Sequence, residues 1–295
     1  MTTGPSRLDK ISELRKKDGP VYRIDMSYVG TSFHGFQSQP GSNTIQDAVE
    51  KALKMILGHD LRIRGASRTD SGVHAQHQVA VFRTHKPYNP RWLMSLNALT
   101  PESIGIMSIS AVDDMFDPIF DSTGKAYRYR LWRGKCFNPF LKPYVWDLPY
   151  NLDHELIETL GQEFIGEHDF SAFCNKDSDA KSTVRTVLEL SVESHGPLID
   201  LWITGKGFLK QMVRIMTGTL VEASLNQKGP DYIRQLLAGE VKRQHSGSTA
   251  PPQGLCLVKV FYDPVSDIKS LQRLASSGYC QEILDDHKIT LAGKK

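Results

Sequence analysis

At 295 residues the chain is about two domains long at ~150 residues per domain, which excludes a peptide or a disulfide miniprotein. Hydrophobic residues make up 40% and charged residues 23%, the proportions of a folded globular protein rather than a disordered one. The 36 basic and 33 acidic residues leave a net charge of +3, which permits a polyanionic partner without requiring one.

From Val21 to Tyr28 the even positions Tyr22, Ile24, Met26 and Tyr28 are apolar while Arg23, Asp25 and Ser27 are polar, a period that predicts a half-buried strand, ended by Gly30. Thr44 then caps a helix, with Asp47 in the capping-box position and Ile45, Ala48, Val49, Ala52, Leu53 and Ile56 on one apolar stripe up to Gly58. A short strand at about 61–64 runs into the loop 65–72, a second strand covers about 78–82, Pro90 opens a helix and a strand spans Ile104–Val112. Further on, the patterns predict a strand at 126–132, a helix at 153–165 stopped by Gly166, strands at 184–192 and 199–204, and a helix at 208–223. A short helix at 231–238 and a last strand at 255–262 follow.

Each half reads β-α-β-β-α-β, the order of the ferredoxin-like motif. The expected fold class is therefore α+β: two ferredoxin-like halves, at 21–120 and 121–264, whose antiparallel sheets flank a central cleft, between extensions at 1–20 and 265–295. The halves repeat element order and not residues. The polar stretches 175–183 and 242–252 read as exposed loops, and a cleft between the halves is the default site.

The loop from Gly65 to Gly72 sets Arg68 and Asp70 two residues apart between glycines. On spacing alone, an Asp in such a turn more often caps the backbone than reacts. His74 and His77 form an H-x-x-H pair, but no third ligand is patterned with them, so no metal is expected. On the helix after Phe208, Met212, Ile215, Met216, Thr219 and Leu220 share a face, and Arg214 projects oppositely with Lys210 and Gly218. If Arg214 is buried it needs an anion, a carboxylate being the natural one; residue statistics favour solvent instead. Tyr127 and Tyr129 share one face of a strand, as core residues or as a plate for a base. No glycine-rich phosphate loop is present, which argues against a nucleotide cofactor. The four cysteines, Cys136, Cys174, Cys256 and Cys280, form no C-x-x-C pair, so reduced thiols in a cytoplasmic setting are expected. Neither an apolar leader nor a run of about 18 apolar residues occurs, so secretion and membrane spanning are not expected.

Five segments, in order, resemble the tRNA pseudouridine synthase A family: Tyr28 to Gln39, Ser67 to Ala75, Lys125 to Tyr129, Phe208 to Arg214 and Ala250 to Leu255. The resemblance covers about 21–262. It implies a pseudouridine synthase fold and a cofactor-free isomerisation of uridine to pseudouridine at positions 38, 39 and 40 of the tRNA anticodon stem-loop, performed by a homodimer. It also implies roles. Asp70 would be the catalytic nucleophile and Arg214 its ion-pair partner; Tyr127, also catalytic, would stack on the detached base and assist proton removal; Arg68 would displace the target nucleotide; Leu255 would supply an apolar wall. Gln37, in the first segment, would bind substrate. Burial penalises a lone carboxylate, so an adjacent guanidinium makes physical sense, and holding free uracil against a ring makes reattachment effectively intramolecular. Several adjacent targets imply that shape and backbone are read more than base sequence. Ile119 stands where the family often carries Arg, and Ser71 where Ala or Lys is commoner. The alternative from another class is an RNA-binding protein that keeps the fold without the chemistry.

Overall fold

The alternation of Tyr22, Ile24, Met26 and Tyr28 forms β1 (Val21–Tyr28), with all four side chains buried. The structure is a computed structural model that describes residues 19–134, 138–175, 181–239 and 243–263; the extensions expected at 1–20 and 265–295, Gly19 and Pro20 apart, lie outside it, as do Cys136 and Cys280. Thr44 caps α1 (Ile45–Leu57): its Oγ1 accepts the Asp47 N–H at 3.2 Å and donates to the Asp47 carboxylate at 2.6 Å. Such a cap stabilises a helix by about 1 kcal/mol. Gly58, at φ 74°, ends the helix in the left-handed region that glycine tolerates.

The first half continues through β2 (Arg64–Gly65), β3 (His74–Arg83), α2 (Arg91–Leu99) and β4 (Ile104–Val112). The second comprises β5 (Gly124–Arg133), β6 (Trp146–Leu148), α3 (His154–Gln162), β7 (Gly166–Asp169), β8 (Val184–His195), β9 (Leu198–Gly205), α4 (Met212–Leu225), α5 (Pro230–Leu237) and β10 (Leu255–Phe261).

The α+β class holds, and each half has the ferredoxin-like strand arrangement. In the first, β1 pairs antiparallel with β3 and β4, and β2 with β3. In the second, β5 pairs antiparallel with β9 and β10, and β8 with β9. The two separate sheets expected are instead one ten-stranded sheet in the order β4-β1-β3-β10-β5-β9-β8-β7, with β2 on β3 and β6 on β5. The join is a short parallel contact between β3 and β10, Cys256 opposite His74 and Leu257 opposite Ala75. It exists because β2 is only two residues long and pairs at Val81 and Ala80, leaving the start of β3 with a free edge for β10. The halves therefore fork at β3, and the loop from β2 to β3 fills the fork. A single buried apolar cluster extends from Tyr22 in β1 to Val260 in β10.

Several elements differ from the sequence reading, among them β3, α4 and the short strands β6 and β7, for physical reasons. β3 begins four residues earlier than expected because the buried polar side chains of His74, His77 and Gln78 all have hydrogen-bond partners. α4 begins at Met212 rather than near 208 because Gln211, at φ 62°, interrupts helical geometry, and so exposed Lys210 lies ahead of the helix. β6 and β7, three and four residues long, are too short to show a period. No helix among the described residues is long and apolar enough to cross a membrane.

Candidate active site

The loop carrying Asp70 is held from two sides. From below, the Gln78 side chain on β3 grips Ser67 at both backbone groups: Nε2 donates to Ser67 O at 2.7 Å and Oε1 accepts its N–H at 3.1 Å. From the flank, the segment after β1 lies against the loop. Tyr28 and Thr69 share a hydroxyl contact of 2.8 Å, Phe36 N donates to Thr69 O at 3.1 Å, and Gly72 N donates to Phe33 O at 3.2 Å. Gly35 is required here: at φ 90° a Cβ would sit 2.7 Å from Thr69 O. Two of the sequence segments singled out above are therefore one packed unit.

Arg214 approaches from α4. Its Nη1 donates to Asp70 Oδ2 at 3.2 Å and its Nε to Ala250 O at 2.8 Å. The two side chains are 11% and 18% exposed, so Arg214 does not simply reach solvent. The cause is the segment 246–252, which covers the polar side of α4. Gly218, one turn after Arg214, permits this approach, since a Cβ there would fall 1.8 Å from Ser248 O. The backbone closes the contact with Ala250 N donating to Arg214 O at 3.1 Å.

Tyr127, on β5, is buried, and its hydroxyl meets Ser67 Oγ at 2.8 Å. Burial pushes the phenol up to about 12, with the Ser67 hydrogen bond opposing and the nearby Asp70 charge adding to the rise. Phe208 packs edge-on against its ring at a centroid distance of 5.2 Å. Tyr129, buried on the same strand, donates to Pro251 O at 2.6 Å and so anchors the segment that holds Arg214.

Ser67, Asp70, Tyr127, Phe208 and Arg214 line one cavity of about 910 Å³, within the range of small-ligand sites. All six residues to which the family resemblance gives a role border it: Asp70, Tyr127, Arg214, Arg68, Leu255 and Gln37. Asp70 and Arg214 are in direct contact. Arg68 is exposed at the rim, Leu255 is buried in the wall, and Gln37 is tied to α1 through Gln46 Oε1 at 2.9 Å. Ile119 also borders the cavity; the Asp117 carboxylate, paired with Arg64 at 2.9 Å, accepts its backbone N–H at 2.9 Å.

Sequence reasoning missed the Ser67 hydroxyl, the Phe208 ring and the Ala250 carbonyl. Ser67 and Phe208 stand inside motifs already quoted, but a backbone carbonyl gives no sequence signal. His74 and His77 are each committed within the fold. His74 Nδ1 accepts from Gly30 N at 3.1 Å and Nε2 faces Pro143 O at 2.9 Å; His77 accepts from Val260 N at 3.2 Å and faces Asp25 at 3.1 Å.

Fold and site together define an α+β protein in which a carboxylate paired with a guanidinium lies beside a phenol in one cavity. The family model described as tRNA pseudouridine synthase matches residues 26–121 and 161–263. A tRNA pseudouridine synthase A of Geobacter sp. (strain M21) is 39% identical over 241 residues, 81% of this chain and 98% of the relative. Those of Geotalea daltonii and Aquifex aeolicus are 41% and 36% identical, over 81% and 82% of this chain and 98% and 99% of theirs. A solved Cbf5-Nop10-Gar1 complex covers 75% of this chain and 49% of its own at 13% identity and a TM-score of 0.31, too distant to carry an argument. The chain belongs to the tRNA pseudouridine synthase family, whose members are isomerases.

Proposed function

We propose that this enzyme converts uridine to pseudouridine at positions 38, 39 and 40 of the tRNA anticodon stem-loop, with Asp70 as the catalytic nucleophile. The observation that carries the reading is the Asp70–Arg214 pair, 3.2 Å apart in a cavity walled by Tyr127, in a chain of this family.

The reaction breaks the bond from C1′ to N1 and forms one from C1′ to C5; N1 gains a proton and C5 loses one. Atoms and electrons balance within the nucleotide, so the chemistry calls for no cofactor. Asp70 promotes departure of the uracil by bonding to C1′ or stabilising charge there. Arg214 aims the carboxylate and offsets the cost of desolvating it. Tyr127 covers the freed base, keeping it near C1′ so that reattachment outruns escape. Burial raises its phenol and so favours the protonated form in the resting site; beside the freed base it acts as a hydrogen-bonding surface and assists removal of the C5 proton. Arg68, exposed at the rim, fills the stack vacated by the displaced nucleotide; Gln37 and Leu255 contact the substrate beside the reacting centre. The working form is a cytoplasmic homodimer whose subunits share one tRNA.

The test is tritium release from tRNA labelled at uridine C5, wild type beside Asp70→Asn, with modified positions mapped by sequencing. Wild type releases label from positions 38 to 40 and Asp70→Asn releases none. Undiminished release by Asp70→Asn removes the nucleophile assignment; tRNA binding without release by wild type favours the RNA-binding alternative.

A further inference from the structure

The mechanism above leaves one half-buried cation of the cavity unused. Lys125 stands two residues before Tyr127 on β5, on the same face of the strand, and lines the same cavity. Two residues of strand span about 7 Å. Tyr129, Tyr127 and Lys125 thus form successive rows, starting beside the segment that holds Arg214 and moving away from it. Opposite Lys125 on β9 is Gly205, where a Cβ would come within 2.9 Å of the Phe208 ring; glycine leaves room for that ring next to Lys125.

No hydrogen bond or ion pair among the described residues holds the Lys125 ammonium. Burial alone acts on it, bringing it down to about 8. The charged and titratable groups facing the cavity are His34, Arg68, Asp70, Tyr127, Lys210 and Arg214, and none offsets its burial; the one carboxylate among them is bound to Arg214. A partly desolvated ammonium with no partner contributes nothing to folding, so its counter-charge comes with the ligand. Uracil and ribose are neutral, and the anion an RNA brings is its phosphate. We propose that Lys125 binds a backbone phosphate of the substrate RNA next to the target uridine, fixing the nucleotide so that its C1′ meets Asp70. The proposal rests on the pseudouridine synthase reading above.

Binding of an unmodified tRNA transcript is measured from 0.05 to 0.4 M KCl with Asp70→Asn protein, which cannot turn it over, alone and combined with Lys125→Gln or Lys125→Arg. Loss of one phosphate contact flattens the slope of log Kd against log salt by about 0.7 to 0.9; Lys125→Gln shows this change and Lys125→Arg does not. In proteins retaining Asp70, Lys125→Gln raises KM about tenfold while the loss in kcat is smaller. An unchanged salt slope overturns the proposal, as does a loss confined to kcat, which would put Lys125 on the reacting base. Calorimetry at pH 8 in buffers of different ionisation heat needs no neutral variant. Binding draws up a fraction of a proton with Lys125 present and none in Lys125→Arg; equal uptake by both rejects the idea. Absence of both tRNA binding and tritium release in the wild type would instead count against the parent reading.

Discussion

Replacing Arg214 with Met keeps much of the side chain's length and removes its charge, which makes it a direct test of the ion pair. At 3.2 Å, with side chains 11% and 18% exposed, the pair lies between exposed pairs worth about 0–1 kcal/mol and buried pairs whose disruption costs about 3–5; about 2–3 kcal/mol is a fair figure. The bond from Nε to Ala250 O at 2.8 Å is also lost, adding about 1–2 kcal/mol. If roughly 3–4 kcal/mol of this support is needed in the transition state, kcat falls about 10²- to 10³-fold. Because Arg214 is directed at Asp70 and Ala250 rather than at solvent, tRNA affinity changes less than threefold by the same arithmetic, a loss below about 0.7 kcal/mol. Single-turnover tritium release with enzyme in excess gives the rate, and filter binding gives Kd. A rate within threefold of wild type would refute the argument, as would a tenfold loss of affinity with normal turnover of bound tRNA. Arg214→Lys is intermediate, since one ammonium cannot satisfy both acceptors.

Gly218→Ala forces a methyl into Ser248 O, 1.8 Å from the ideal Cβ position; the 246–252 segment moves, thermal stability drops, and activity follows it even though residue 218 touches no substrate. A stable, fully active variant contradicts this. Ser67→Ala removes the 2.8 Å contact with the Tyr127 hydroxyl and lowers kcat several-fold, about 1 kcal/mol. In Tyr127→Phe protein the same change has little further effect, so strictly additive losses in the double-mutant cycle would argue against the contact. Stability is sensitive to acid. Burial holds His74 and His77 below the ordinary histidine value of 6.5, so the stability gained by keeping them neutral is present above that value and is lost as pH falls through and below it. Asp25 is held below its ordinary 3.8, with hydrogen bonds from His77 and Ser108 and the Arg23 charge outweighing burial; its contribution fades only at still lower pH. Urea midpoints fall from pH 7.5 to 5.5, and a flat profile would show that the histidines are not neutral in the fold.

The strands and helices with clean periods were legible in the sequence. β1 and β4 lie at the expected limits, and α1 starts and stops at its predicted caps, because alternation, Thr44 and Gly58 are local signals. Polar residues in the sheet concealed the start of β3: His74 and His77 look like loop until their partners Gly30 and Asp25 are in place. The same limit applies to the site. Arg214 reads as a solvent-facing residue on an amphipathic helix, and only the return of 246–252 over α4, possible because residue 218 is glycine, turns it toward Asp70. The joining of two sheets into one was not legible, since it depends on two residue pairs between β3 and β10, far apart in the chain.

That join explains why the loop carrying Asp70 lies where it does. After Gly65 pairs with Ala80, Ala66 N still donates to Val79 O at 2.7 Å, but at Ser67 the Gln78 side chain takes both backbone groups in place of the next rung of the ladder. The chain therefore leaves β3 without burying an unsatisfied donor or acceptor. With β2 gone, the start of β3 is free to accept β10, and β10 brings β5 with Tyr127 and, just before its own first residue, the segment that covers α4 and holds Arg214. A longer β2 would zip along β3, occupy the edge that β10 uses and keep Asp70 away from its guanidinium. The brevity of one strand and the amide of Gln78 thus place residues from both halves of the chain around one carboxylate.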